Sequence, residues 1–374
     1  MATPRLEINL SKIAHNLKIL KNFYGARGIS ISAVTKSVSG DIDIARLFIK
    51  QGIKTLADAR IDNLKKMKNA GIKCQFLLLG PPMLSEVEAV VRYADISLNT
   101  EIDIIKQLAE SAVRQGRLHK VVLMVELGDL REGIMPSDLN DYVSQVIKLE
   151  GIELLGIGAN LACFGGIKPD HEKMEFLSEI ACEIEKTFNI HLEIISGGNS
   201  ANYEWFTDNT EIGRINGLRL GESIFLGVET LHRKPILDLF TDAFTLVAEV
   251  VELKIKPSLP FGKIAQNAFG QTPVFKDNGN QIRAILGIGL QDIPFDGLEP
   301  KSNISILGGA SNHMVINPKR SQLRLGSLVR FNVNYAALVA AMTSPFVIKQ
   351  KIFIEERGRL LRDDRSKRHL SQKA

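Results

Sequence analysis

Lys36 closes a strand-like apolar run in AVTKSVSGD. A lysine there, with its pKa depressed, can form an imine with a carbonyl, although taken alone it reads more readily as a snorkelling strand-end lysine. Further on, SGGNSAN brings together Gly197, Gly198, Asn199 and Ser200. Small residues, exposed amides and a hydroxyl suit an anion, whereas a glycine-rich loop by itself is also an ordinary tight turn. Arg219 lies inside the apolar run GLRLGES, where a buried guanidinium needs a partner; a structural salt bridge is the plain alternative to a ligand. Gly221, two residues on, allows close backbone approach. Arg131, in ELGDLREG, falls in a loop and by itself would be a solvated surface residue.

These residues need a frame that brings distant segments to one place. The first two thirds of the chain alternates short β-branched runs with amphipathic stretches, a βα repeat. Eight strands are expected: ISISAVTK from Ile29, TLAD from Thr55, QFLLLG from Gln75, ISLN from Ile96, KVVLMVEL from Lys120, LLGIGANL from Leu154, LEIISGG from Leu192 and GLRLGESIFLG from Gly217. Between them, SKIAHNLKILKNF is expected to start at an N-capping Ser11, DIDIARLFIKQG to end at Gly52, and TEIDIIKQLAESAVRQG to use Thr100 as cap and Gly116 as stop. Eight such units close most naturally into a (β/α)8 barrel, whose reactive groups gather at the C-terminal strand ends and whose phosphate sites follow strands seven and eight. Lys36 and the SGGNSAN loop both fall at such ends. After about Val228 the pattern turns to strand-length runs punctuated by Pro, Gly and Asn. The expected class is therefore α/β, with an N-terminal TIM-type barrel over 1–228 and a C-terminal, mostly-β domain over 229–374, the first few residues being free to join the β domain.

Composition narrows the partners. A chain of 374 residues, 45% hydrophobic, is long for one compact domain. Its apolar runs fall far short of the roughly 20 residues a membrane helix needs, and MATPRLEINL lacks a signal peptide's apolar core. A cytoplasmic protein with no membrane partner is expected. The net charge of +5 owes much to a basic tail from about 356, with no interleaved aromatics, so no nucleic-acid partner is expected. Cys74, Cys163 and Cys182 are too scattered for a disulfide framework, and without a CxxC or HxxxH pair no metal site is expected.

Taken together, the opening LEINLSKIAHNLKIL, AVTKSVSGD, NSAN and RLGESIFLG resemble the alanine racemase family of fold-type-III pyridoxal-phosphate enzymes, over nearly the whole chain. The resemblance implies that Lys36 holds pyridoxal 5'-phosphate as a Schiff base and that Ser200, with the amides of Gly221 and Glu222, holds its phosphate. It implies that Arg219 faces the pyridine nitrogen, and that Arg131 reaches the cofactor phenolate and the substrate carboxylate. Asn160, in GIGANLACFGG, lies where the family often has a histidine beside the ring, and Asn199 and Tyr335 join the cofactor-binding set. QNAFGQ, GIGLQDI, LGGASNHM and YAALVAAMTSPFV look like the subgroup that includes ornithine racemase. An antiparallel homodimer is implied as well.

Two departures carry weight. Alanine racemases use a partner-subunit tyrosine as second base, in a Tyr-Gly pair; here the nearest match, Phe269-Gly270, lacks the hydroxyl, which leaves Asn312 and His313 as candidates. The lysine segment also lacks the tyrosine that usually follows, which argues against alanine as the main substrate. The expected activity is a two-base amino-acid racemisation, with ornithine or another basic amino acid as substrate and Glu222, Asp292 or Asp296 as partners for its distal cation. A decarboxylase of the same fold is the first alternative, opposed by the absence of a cysteine from the second domain. A D-amino-acid aldolase or dehydratase would want a metal. A non-catalytic pyridoxal-phosphate carrier would stop near the end of the barrel.

Overall fold

The structure is a computed structural model that describes residues 2–354 and 360–361. The chain forms two compact units, one of Lys12–Thr241 and one that joins the segment up to Ser11 to the chain from Asp242 onward.

The second of these is a nine-stranded sheet. Its first strand, β1 (Arg5–Asn9), comes from the N-terminus and is buried on both faces except at Glu7. The barrel is made by β2 (Ser30–Val34), β3 (Thr55–Asp58), β4 (Gln75–Leu78), β5 (Ile96–Asn99), β6 (His119–Met124), β7 (Ile152–Gly158), β8 (Ile194–Gly198) and β9 (Gly217–Leu220). All eight neighbours pair in parallel, and β9 closes on β2 with Ser30 opposite Gly217 and Ala33 opposite Leu220. The α/β class and the barrel with its separate β sheet are thus observed. Alternation along the strands sends Val34, Ala57, Leu77, Ile96, Leu98, Val122, Met124 and Leu155 into one apolar cluster inside the barrel. Their neighbours face the helices. The helix Ile102–Arg114 shows why these segments are helical: Ile105, Leu108, Ala109 and Ala112 recur at a 3.6-residue period and, with Ser111, are the residues it buries.

Beyond the barrel, β10 (Phe244–Pro257) is the spine of the other sheet, antiparallel to β1, β11 (Asn280–Leu286) and β15 (Leu328–Val333). β12 (Leu298–Pro300), β13 (Ser305–Gly309) and β14 (Met314–Asn317) extend it, and β16 (Ile348–Ile354) runs parallel to β1 before pairing with β17 (Leu360–Leu361). Apart from that short strand, the basic tail expected from about 356 lies outside the described residues.

Three local expectations need correction. The run from Gly217 is strand only to Leu220; Gly221 breaks it and Glu222–Leu226 is a short helix. An apolar run of that length does not distinguish a buried strand from a buried helix turn. Ser11 lies in the first turn of the helix Leu10–Gly25, because the strand before it passes into helix with no intervening loop. Glu101, not Thr100, is the N-cap of Ile102–Arg114, and its side chain makes no capping bond. By contrast Asp41 caps Ile42–Lys50 through the amides of Asp43 and Ile44.

Candidate active site

The barrel's C-terminal rim collects four of the charged residues picked from the sequence, Lys36, Arg131, Arg219 and Glu222. Lys36 follows β2 directly and opens a single turn, Lys36–Val38. That turn is anchored from below: buried Thr35 donates its hydroxyl to Asp58 Oδ2 at 2.7 Å, and Asp58 Oδ1 accepts from Arg60 N and Asn63 Nδ2, both at 3.0 Å. Burial pushes the Asp58 carboxyl up even against these donors. The Lys36 side chain stays reachable by solvent, yet enough protein surrounds it that desolvation lowers its pKa. Arg131 and Arg219 push the same way, and Asp58 opposes them. The result is an amine that loses its proton more readily than a surface lysine.

Arg219, on β9, is buried with no carboxylate at ion-pair distance among the described residues. Its guanidinium donates to Ser196 Oγ on β8 and, at 2.7 Å, to the carbonyl of Ala159 after β7. The salt-bridge alternative is therefore replaced by neutral acceptors. Desolvation, with Arg131 adding to it, brings this arginine down to about 10, still charged at neutral pH. A cavity of about 470 Å3 reaches Arg219 from the opposite, N-terminal end of the barrel, past Ser32, Thr55, Leu77 and Val122. Of the other site residues only Ser196, the acceptor of Arg219, lines it.

The loop after β8 is a hydrogen-bonded polar turn. Asn199 donates to Asn160 Oδ1 at 3.1 Å and to the Leu161 carbonyl at 2.9 Å, and its own oxygen accepts from Ala201 N at 2.8 Å. Gly198 is obligatory here: its φ is +137°, and a Cβ would sit 2.4 Å from Asn202 Oδ1. Asn160 Nδ2 is buried and has no protein partner. Ser200 Oγ lies 3.1 Å from Ser223 Oγ and accepts from Ser223 N at 3.3 Å, both side chains being buried. Gly221 packs against β2, so that a Cβ would come within 3.1 Å of Val34 Cβ. Glu222 pairs with Arg233; burial raises its pKa, against the pull of Arg233 and Lys36.

Arg131 is not a bare surface residue. It forms a two-pronged ion pair with neighbouring Glu132, and its Nη1 donates to Cys163 Sγ at 2.6 Å. Asp129 builds this corner. It is buried, and its carboxylate accepts from Cys163 N at 3.1 Å, Phe164 N at 2.9 Å and Ile167 N at 3.4 Å, which fastens the loop after β7 to the loop after β6. Burial alone would raise its pKa; those amides outweigh it and hold the carboxyl below its usual range.

The rim thus unites Lys36, Arg131, Asn160, Asn199, Ser200, Arg219, Gly221 and Glu222 in the barrel unit. Asn312 and His313 belong to the other unit, exposed in the turn between β13 and β14, and Tyr335 there opens the helix Tyr335–Thr343 behind its cap Asn334. Asp292 of that unit is buried and accepts from Ser344 Oγ at 2.7 Å. Asp129, Glu132, Ser196 and Ser223 were not picked out from the sequence. An acidic residue in a Gly-containing loop after a barrel strand is a usable signal for Asp129; Ser196 and Ser223 carry none until the strands are registered. Among the described residues no group of three or more His, Cys, Asp and Glu could hold a metal, and no helix is long and apolar enough to cross a membrane.

Residues 8–228 match the family model described as alanine racemase, N-terminal domain. The ornithine racemase of Acetoanaerobium sticklandii is 40% identical over 352 residues, 93% of this chain and 99% of that protein. The lysine racemase of Thermotoga maritima is 38% identical over 93% of this chain and 98% of its own length. Among solved structures, the alanine racemase of Clostridium difficile superposes with a TM-score of 0.71 at 18% identity, covering 97% and 98% of the two chains.

Proposed function

This chain belongs to the alanine racemase family, and from that membership and the site's geometry we propose that it is a pyridoxal-phosphate-dependent amino-acid racemase acting on a basic amino acid such as ornithine or lysine. The observation that carries the reading is the Lys36 amine, its pKa lowered by surrounding protein and two guanidiniums, at the same barrel mouth as the buried Ser200–Ser223 hydroxyl pair. The relatives that match nearly end to end act on ornithine and lysine, which supports a substrate other than alanine.

The residues fit that cofactor. Its phosphate finds a buried Ser200–Ser223 hydroxyl pair beside Gly221, where a side chain would have no room. Buried Asn160 Nδ2 lacks a partner, and Arg219 is a buried cation without a counter-ion, so both have a use for polar atoms of a ligand. Lys36 Nζ, with its lowered pKa, is the amine that would hold the cofactor. When bound, pyridoxal phosphate supplies an electron sink that makes a Cα proton removable.

Lys36 Nζ is then the base on one face, and its readiness to lose a proton makes it an effective one. Arg219 keeps its own proton at Nη1 and Nη2, since Ser196 and Ala159 orient it to donate; it restrains rather than amplifies electron withdrawal at whatever nitrogen it faces. That restraint suits racemisation, in which a long-lived carbanion invites side reactions. Asn312 and His313 are the residues to test as the second proton-transfer group. The reading includes a cytoplasmic homodimer, the assembly that family membership supports.

The test is the absorbance spectrum of the purified protein before and after borohydride, with Lys36→Ala as control and single-enantiomer amino acids added next. A visible band that borohydride abolishes and the variant lacks, together with loss of optical rotation from a basic amino acid, is expected. Absence of the band after incubation with pyridoxal phosphate would refute the proposal.

A further inference from the structure

Glu132 is the carboxylate of this corner that pairs with the Arg131 guanidinium, and that arrangement bears on selection among amino acids. The other rim carboxylates are committed elsewhere. Asp58 holds Thr35, Asn63 and the Arg60 amide. Asp129 holds three backbone amides. Glu222 faces Arg233. Glu132 instead spends both oxygens on the Arg131 guanidinium, whose planar fork is the group on this rim best matched to a carboxylate. Arg131 is over a third exposed while Glu132 is mostly covered. A ligand carboxylate that takes the Nε–Nη2 edge of Arg131 displaces Glu132, and so would leave a mostly covered charge without its cation. That penalty vanishes for a ligand that brings a cation of its own.

We propose that Glu132 selects substrates with a distal ammonium group by partner exchange: the ligand's carboxylate replaces Glu132 on Arg131, and its side-chain ammonium takes up the released Glu132. The Arg131–Glu132 pair is in this sense an internal stand-in for the two charged ends of a basic amino acid. A neutral side chain such as alanine's fills only half of the exchange. Both charges of the pair act on Arg219, which places the corner within electrostatic range of the buried centre of the site. The preference for a matched ligand is expected to be at least about tenfold, since stranding a mostly covered carboxylate costs on the order of one lost charged hydrogen bond.

The inference rests on the racemase reading, and its test separates the two. Protein loaded with pyridoxal phosphate and fixed with borohydride leaves a probe's amine nothing to react with. Calorimetric affinities for 5-aminopentanoate and pentanoate, which differ only in the terminal ammonium, are then compared. The wild type should favour 5-aminopentanoate by about tenfold or more; Glu132→Gln should bring the ratio near one, while Glu132→Asp, which keeps the charge, retains a preference. In turnover, Glu132→Gln should lose kcat/KM for ornithine or lysine relative to that for alanine, so that the ratio between them falls by about the same factor as the probe ratio. A preference that persists in Glu132→Gln, or a wild type that racemises basic amino acids yet binds both probes equally, overturns the role of Glu132. Absence of the visible band and of any racemisation overturns the underlying reading alone, because the affinity ratio on unloaded protein still decides what Glu132 recognises.

Discussion

Replacing Asp129 by alanine should destabilise the barrel and loosen the arginine corner together. The carboxylate is buried and accepts three backbone N–H bonds, two of them short, at 2.9 and 3.1 Å, and one long, at 3.4 Å. A hydrogen bond to a charged acceptor contributes about 1.5 to 3 kcal/mol net. Taking the low end for the two short bonds and discounting the long one gives a loss of about 3 kcal/mol, which for a unit of this size lowers Tm by roughly 6 to 12 °C. Asp129→Asn keeps one acceptor oxygen but turns an amide NH2 toward a backbone N–H, so about half the loss is expected. The pH dependence has a definite sign: the folded-state pKa is depressed, so the stabilisation is fully present above the unfolded carboxyl's value and disappears as pH falls through the folded one. The gap between wild type and Asp129→Asn should therefore be constant near neutrality and narrow below about pH 4. Scanning calorimetry from pH 3 to 8 measures both. A deficit under about 0.5 kcal/mol at neutral pH, or one that stays undiminished in acid, would mean that the three amides do not depend on this carboxylate.

Other perturbations probe different parts of the barrel. Gly198→Ala puts a Cβ 2.4 Å from Asn202 Oδ1 at a φ of +137°, so it should cost about 1 to 3 kcal/mol and weaken retention of pyridoxal phosphate, read by equilibrium dialysis. Retention equal to wild type would detach the turn from the anion site. Ser223→Ala should weaken cofactor retention with little change in Tm, because it removes one hydroxyl of the buried pair and keeps the backbone amide that Ser200 accepts from. His119 is buried against Ser97 at 2.8 Å, and desolvation takes it from 6.5 to about 4. Here the unfolded chain gains a proton that the folded one refuses, so stability should fall by about 3 kcal/mol between pH 6.5 and 4. Denaturant titrations of His119→Gln should show a flatter slope across that window.

The barrel was legible because its signals are local and repeated eight times: a β-branched run, a turn, an amphipathic stretch of 3.6-residue period. Lys36, Arg219 and the SGGNSAN turn were legible for the same reason, since each sits at a fixed offset from a strand end and the fold says what strand ends are for. What the one-dimensional pattern loses is lateral contact. Ser196 reaches Arg219 only because β8 lies beside β9, with a register shift between Ser196 and Gly198, and no periodicity along either strand announces that. The corner around Arg131 shows the same limit more sharply. Arg131 by itself reads as a solvated surface residue and Glu132 is not singled out at all, yet Asp129 fastens the loop after β7 to the loop that carries them. Backbone amides of one loop bound by a side chain of another leave no compositional trace. It follows that site residues supplied by strand ends are the ones a sequence reveals, whereas those supplied by loops that fasten one another become visible only when the loops are seen in contact.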